Sequence, residues 1–197
     1  MPRLRRVPLA SLLLVLLLAL GSCGGVTDSD QTDEMNGLID QANALVYEYD
    51  ALDAEMTELL RKVVGIYPES KAAADALPML VDADAGLGEM AAKMESAATL
   101  WDEASKLDID EAFRTYCGQQ KEIVEQYLQV CAVWKEWVGK LKVMYDPSQQ
   151  RKLSKAGRRE LALEVMGLSD ESNELLSRIG EMEQASEKYY SDNGLGE

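Results

Sequence analysis

The chain has 197 residues, of which 20 are basic, 35 acidic and 47% apolar, with three cysteines and no histidine. That is enough apolar material for one packed domain, while a net charge of −15 argues against nucleic acid, whose phosphates demand clustered positive charge. Without imidazole, Ser-His and Cys-His nucleophile pairs, His-ligated zinc, the Glu-x-x-His di-iron motif of many helical bundles and c-type haem attachment all fall away.

The chain begins with Arg3, Arg5 and Arg6, followed by an apolar run over residues 7–20 and then the small residues Gly21 and Ser22. This is the layout of a cleavable export signal over residues 1–22, and the run is shorter than the roughly 20 residues of a permanent membrane span. The four residues Leu20, Gly21, Ser22 and Cys23 resemble the lipobox of bacterial lipoproteins, a match that covers only the first eighth of the chain. The resemblance implies that the Cys23 thiol receives a diacylglycerol, that cleavage follows before Cys23, and that the new amine is acylated. Two or three acyl chains would anchor the mature protein stably without spanning the bilayer. Gly24 is not Asp, so in a cell with two membranes the resemblance implies the outer one; otherwise the anchor sits in the outer face of the cell membrane.

Residues 23–31 are rich in Gly, Ser, Thr and Asp and read as a flexible tether. A first helical seam then runs through Met35, Leu38, Ala42, Leu45, Tyr49, Leu52, Met56, Leu59, Val63 and Ile66 in steps of three and four. Pro68 and Ser70 mark a turn. The second seam is Ala73, Ala76, Leu80, Ala83, Leu87, Met90, Met94, Ala97, Trp101 and Ala104, with Pro78 either kinking the helix or marking its true start. Asp108 and Glu111 form a capping-box-like opening to the third, which runs through Phe113, Tyr116, Gln120, Ile123, Tyr127, Val130, Trp134, Trp137, Leu141 and Met144 and stops at Asp146-Pro147. The fourth comprises Leu161, Val165, Leu168, Ser172, Leu175, Ile179, Met182 and Tyr189 and closes at Asn193-Gly194. Gly157, Gly167, Ser172 and Ser186 weaken it.

No segment alternates with period two, so strands find no support. Four such helices joined by short loops bury their stripes only against one another, which predicts an all-α fold: an elongated antiparallel four-helix bundle, up-down-up-down, over residues 32–194. Leu45, Leu52, Leu59, Ile123, Trp134, Leu175 and Ile179 are expected at its centre.

No catalytic or metal-ligating constellation stands out, and no cofactor is expected. Asp82 with Asp84 and Asp108 with Asp110 do not fit an EF-hand, because Lys93 and Gln119 stand where the twelfth-position Glu belongs, and they read as solvated helix ends. Gly86 and Gly88 lack the strand and the Lys-Ser or Lys-Thr of a phosphate loop. Cys117 and Cys131, about 21 Å apart along one helix, are too distant for a mutual disulfide and read as buried thiols, with an intermolecular bridge as the functional alternative. The aromatic line Tyr116, Tyr127, Trp134, Trp137 and Tyr145 reads as core, or else as the wall of an apolar pocket.

Charge is distributed unevenly along the expected rod. Residues 58–75 and 135–160, the two windows at the end away from Cys23, carry 11 basic against six acidic residues, while the rest of the mature chain carries six against 29. Arg151, Lys152, Lys155, Arg158 and Arg159 are the core of this basic tip, and Arg151, Lys152 and Lys155 stand where a helix opens and positive charge is disfavoured. The expected function is therefore non-catalytic: a lipid-anchored cell-envelope protein that presents its bundle to another envelope component, with an anionic protein or polymer at the basic tip. The alternative is a carrier or sensor holding a small apolar ligand in the bundle core.

Overall fold

A computed structural model of the chain describes residues 29–68 and 70–195; residues 1–22, where an export signal is expected, and the lipobox-like Leu20, Gly21, Ser22 and Cys23 lie outside the described residues. The described chain is an all-α bundle of four long helices and two short ones, without strands. They are α1 (Ser29–Val64), a 3-10 turn (Lys71–Asp75), α2 (Ala76–Ala104), α3 (Glu111–Tyr145), the single turn α4 (Pro147–Gln150) and α5 (Lys155–Asp192). At 1.5 Å per residue the longest of these is about 57 Å.

Three expectations about boundaries need correction. Ser29, Asp30 and Gln31, expected in the tether, already belong to α1. Here Gln31 has a partner, since the Asp108 backbone N–H donates to its Oε1 at 2.8 Å. The cap of α3 is Asp110, two residues later than expected: its side chain accepts from the Ala112 N–H at 2.8 Å, leaving Glu111 as the first helical residue. The segment after Asp146 is a separate helical turn with Pro147 at its first position, before Ser154 caps α5 by accepting from the Gly157 N–H.

Pro78 falls in the first turn of α2, where no intrahelical donor is lost, so it marks the start without kinking the helix. Asn193 and Gly194 close α5 as expected. Gly194 takes φ 63°, its N–H reaches Ser191 O, and the Leu195 N–H reaches Tyr190 O while the Leu195 side chain is buried. This is a Schellman ending, and the positive φ explains why glycine stands there.

The helices pack in chain order, α1 on α2, α2 on α3 and α3 on α5. Side-chain contacts run in opposite directions along each pair. Glu48 meets Lys93 between α1 and α2; Trp101 meets Tyr116 while Asp84 meets Lys142 between α2 and α3; Tyr116 meets Tyr190 while Lys140 meets Glu164 between α3 and α5. All ten positions of the second seam are buried, because α2 is flanked by two neighbours and its small residues let both come close. A Cβ on Gly86 would lie 2.6 Å from Met56 Sδ, so this glycine makes room for a core methionine and is unrelated to phosphate binding.

The other seams are one-sided. On α1, Met35, Ala42, Tyr49, Met56 and Val63 are buried, whereas Leu45, Leu52 and Leu59, expected at the centre, are half-buried and pack on the core from its edge. On α3, Trp134 is also half-buried, and the buried face is turned toward Cys117, Val124, Cys131, Val138 and Tyr145. The reason is neighbour geometry: α3 meets α2 on one flank and α5 on the other, so it buries a broader and rotated face. Ile123, Leu175 and Ile179 are buried as expected.

Two polar seam positions satisfy each other, since Gln120 Nε2 donates to Ser186 Oγ at 2.9 Å, both being buried. α1 and α3 touch across the bundle mainly through tyrosines. Tyr49 and Tyr127 have ring centroids 5.3 Å apart, and the Tyr145 hydroxyl lies 3.0 Å and 2.7 Å from the Val63 and Ile66 carbonyl oxygens at the end of α1.

Candidate functional site

The connections between α1 and α2 and between α3 and α5 meet at one end of the bundle. Tyr145 fastens them by its bond to the last carbonyls of α1, and Gln150 Nε2 donates to Met144 O, which holds the α4 turn against α3. Asp146 accepts from the Ser148 N–H at 2.7 Å, and these bonds to Ser148 hold its carboxyl below the usual range. Between the two turns opens a cleft of about 390 Å³, lined by Pro68, Ser70 and Ala73 on one side and by Pro147, Gln150, Arg151 and Arg158 on the other.

Arg151, Lys152, Lys155, Arg158 and Arg159 are all exposed at this end, and none is in an ion pair with a carboxylate among the described residues. Four other cations of the two basic windows behave differently. Arg61 and Lys62 pair with Glu58, Lys140 with Glu164 at 2.9 Å and Lys142 with Asp84 at 2.8 Å. Exposed Lys135 is likewise in no ion pair among the described residues, so the unpaired charge of the two windows is Lys135 together with the cluster at residues 151–159. Large apolar side chains are exposed as well, Val64, Tyr67, Val81, Leu163 and Met166, with Tyr67 at 67%.

The remaining candidates have structural roles. Asp84 is the ion-pair partner of Lys142, Asp82 and Asp108 are exposed, and Asp110 is a helix cap. No group of three or more Cys, Asp or Glu among the described residues is placed to hold a metal ion. Cys117 and Cys131 are free, fully buried thiols, and burial pushes both up to about 11, so they stay protonated at neutral pH. Of the aromatic line, Tyr116 packs edge-on against Trp101 at 6.1 Å and tilted against Tyr190 at 5.0 Å, while Tyr127 packs on Tyr49. Trp134 and Trp137 are half-buried against the core.

One cluster has no counterpart in the sequence reading. Asp50 and Asp53 on α1 approach Glu183 on α5, whose Oε1 accepts from the Tyr127 hydroxyl at 2.9 Å. Asp50 Oδ1 is buried without a hydrogen-bond partner, and burial, then Asp53 and Glu183, push its carboxyl up to about 7. Burial likewise raises Glu183, against the lowering effect of the Tyr127 bond. The only sequence signal was an acidic residue on each side of the core heptad step at Tyr49, and such residues are ordinary on a helix edge.

No helix among the described residues is long and apolar enough to cross a membrane. Compared with known proteins, the chain matches no family profile, and neither a curated protein nor a solved structure matches it.

Proposed function

We propose that the protein is a lipid-anchored, non-catalytic component of the cell envelope whose helical bundle carries a binding surface at the end formed by the Pro68 and Pro147 turns. The observation behind this reading is the gathering of exposed cations that form no ion pair among the described residues, Arg151, Lys152, Lys155, Arg158 and Arg159, on an otherwise strongly acidic chain. Positive charge left unpaired at a helix start suits an anionic partner. The anchor is assigned by the lipobox-like residues Leu20, Gly21, Ser22 and Cys23. An anchor at Cys23 and a basic end reached after the full length of α1 would hold the binding surface about 50 Å from the membrane.

Two experiments address the two halves separately. Cys23→Ser should leave unprocessed, unlipidated precursor; mass analysis finding a mature chain cut elsewhere, or an unmodified Cys23, would sink the anchor. Reversing Arg151, Lys155, Arg158 and Arg159 to Glu should abolish low-salt capture of an acidic polymer while circular dichroism stays helical. Capture that survives the reversal would put the binding surface elsewhere.

A further inference from the structure

We propose that the cleft between the Pro68 and Pro147 turns is a phosphate-binding site, in which Arg151, Arg158 and Ser70 together receive a phosphate monoester or diester. The proposal rests on the reading of the basic end as a binding end and gives that end a ligand chemistry. At about 390 Å³ the cleft is within the size range of small-ligand sites. Two guanidinium groups line one wall, each with five N–H donors and no acceptor, and neither is in an ion pair among the described residues.

The opposite wall holds the second observation. Ser70 precedes the 3-10 turn in the cap position, yet its hydroxyl makes no capping bond, and its Oγ is buried without any hydrogen-bond partner. A hydroxyl without a partner that lines the same cleft as two arginines free of carboxylates is a donor set without its acceptor. The neighbouring groups do not fill that role. Asp146 is bonded to Ser148, the Gln150 amide donates to Met144 O, and Lys152 acts weakly on Asp146; Glu69, adjacent to Ser70, lies outside the described residues.

The geometry favours phosphate over carboxylate. One guanidinium fork satisfies both oxygens of a planar carboxylate, whereas donors on two walls need an acceptor with oxygens on several sides, as a tetrahedral phosphate has. Gln150 ties the Pro147 turn to α3, and Tyr145 ties the chain just before Pro68 to α3.

The same phosphate could belong to a dissolved ester or to a lipid headgroup, and the test separates them. Full-length chain held in nanodiscs of a phosphate-free galactolipid is titrated with glycerol phosphate and with acetate, and is then assayed for capture of vesicles of the same galactolipid with or without phosphatidylglycerol. We expect binding of glycerol phosphate but not of acetate, weakened on the order of tenfold or more in R151Q/R158Q, less in S70A, and little in K152Q/K155Q/R159Q. Capture of phosphatidylglycerol vesicles that is lost in R151Q/R158Q, with no binding of the soluble ester, also supports the site and assigns the lipid source. Binding unchanged in R151Q/R158Q, equal binding of acetate, or no binding of either phosphate source overturns it. If acidic-polymer capture is then still abolished by the charge reversal, the basic end remains a binding surface and only the cleft assignment falls.

Discussion

α2 and α5 are both long amphipathic helices, but they are packed differently. Every seam residue of α2 from Ala76 to Ala104 is buried, whereas α5 buries Leu161, Ser172, Leu175, Ile179 and Ser186 and leaves Val165, Leu168 and Met182 half-covered. α2 is enclosed by α1 and α3; α5 packs on α3 and shares almost no close backbone contact with α1. α2 has both the two close neighbours and the more apolar sequence, and the two together account for its complete burial. The α1/α5 edge is also where Asp50, Asp53 and Glu183 come together, which is tolerable only because that edge remains partly wet.

The largest test of this difference is truncation at matched positions. Leu87→Ala in α2 should cost about 2–5 kcal/mol, because the side chain is wholly enclosed and the cavity cannot collapse. Leu52→Ala, at a half-buried position on α1, should cost clearly less, about 1–2 kcal/mol. Equal losses in chemical denaturation would break the distinction between enclosed and edge seams.

A smaller effect is expected at the α1/α5 edge. The Asp50 carboxyl ionises near 3.8 when unfolded and near 7 when folded, so the folded state holds more protons between these values. Asp50 therefore makes stability fall as pH rises from about 4 to about 7, and Asp50→Asn should remove that slope. Discounted for partial exposure, the gain at neutral pH should be about 1 kcal/mol, or about 2–4 °C in Tm. A melting profile against pH that is identical in the two proteins would contradict the placement of Asp50.

The smallest change is local. Gly194→Ala forces a side chain into positive φ and should cost about 1 kcal/mol, fraying the end of α5 without disturbing α2. Amide exchange should show protection lost around Tyr190 and Ser191 but kept through Leu87 and Met90. Uniform loss across both helices would mean that α5 is not the separable edge described here.

Much of this was legible from spacing. The second seam could be read residue by residue because an enclosed helix buries every a and d position, and its Ala, Gly and Met pattern leaves no choice of face. On α3 the same rule picked Phe113, Tyr116 and Trp134 over Cys117, Cys131 and Val138, since periodicity cannot tell which flank of a broad stripe turns inward. The cap at Asp110 was missed for a simpler reason. Asp108 and Asp110 are chemically equivalent candidates, and only the backbone path to α1, where Asp108 N–H meets Gln31, chooses between them.

By itself, then, the sequence determined the helical periodicity, the stops at Pro68, Pro147 and Gly194, the absence of imidazole chemistry and the excess of cations in residues 151–159. These are local properties, set by 3.6-residue repetition, backbone restriction and composition. Tertiary structure alone decided which cations are paired with a carboxylate, as Lys140 and Lys142 are with Glu164 and Asp84, and which are not. It also decided that Ser70 and Arg158, far apart along the chain, line one cleft, and that Asp50 meets Glu183. Ion pairing and burial depend on distances of a few ångströms between residues remote in sequence, and no one-dimensional pattern encodes those distances.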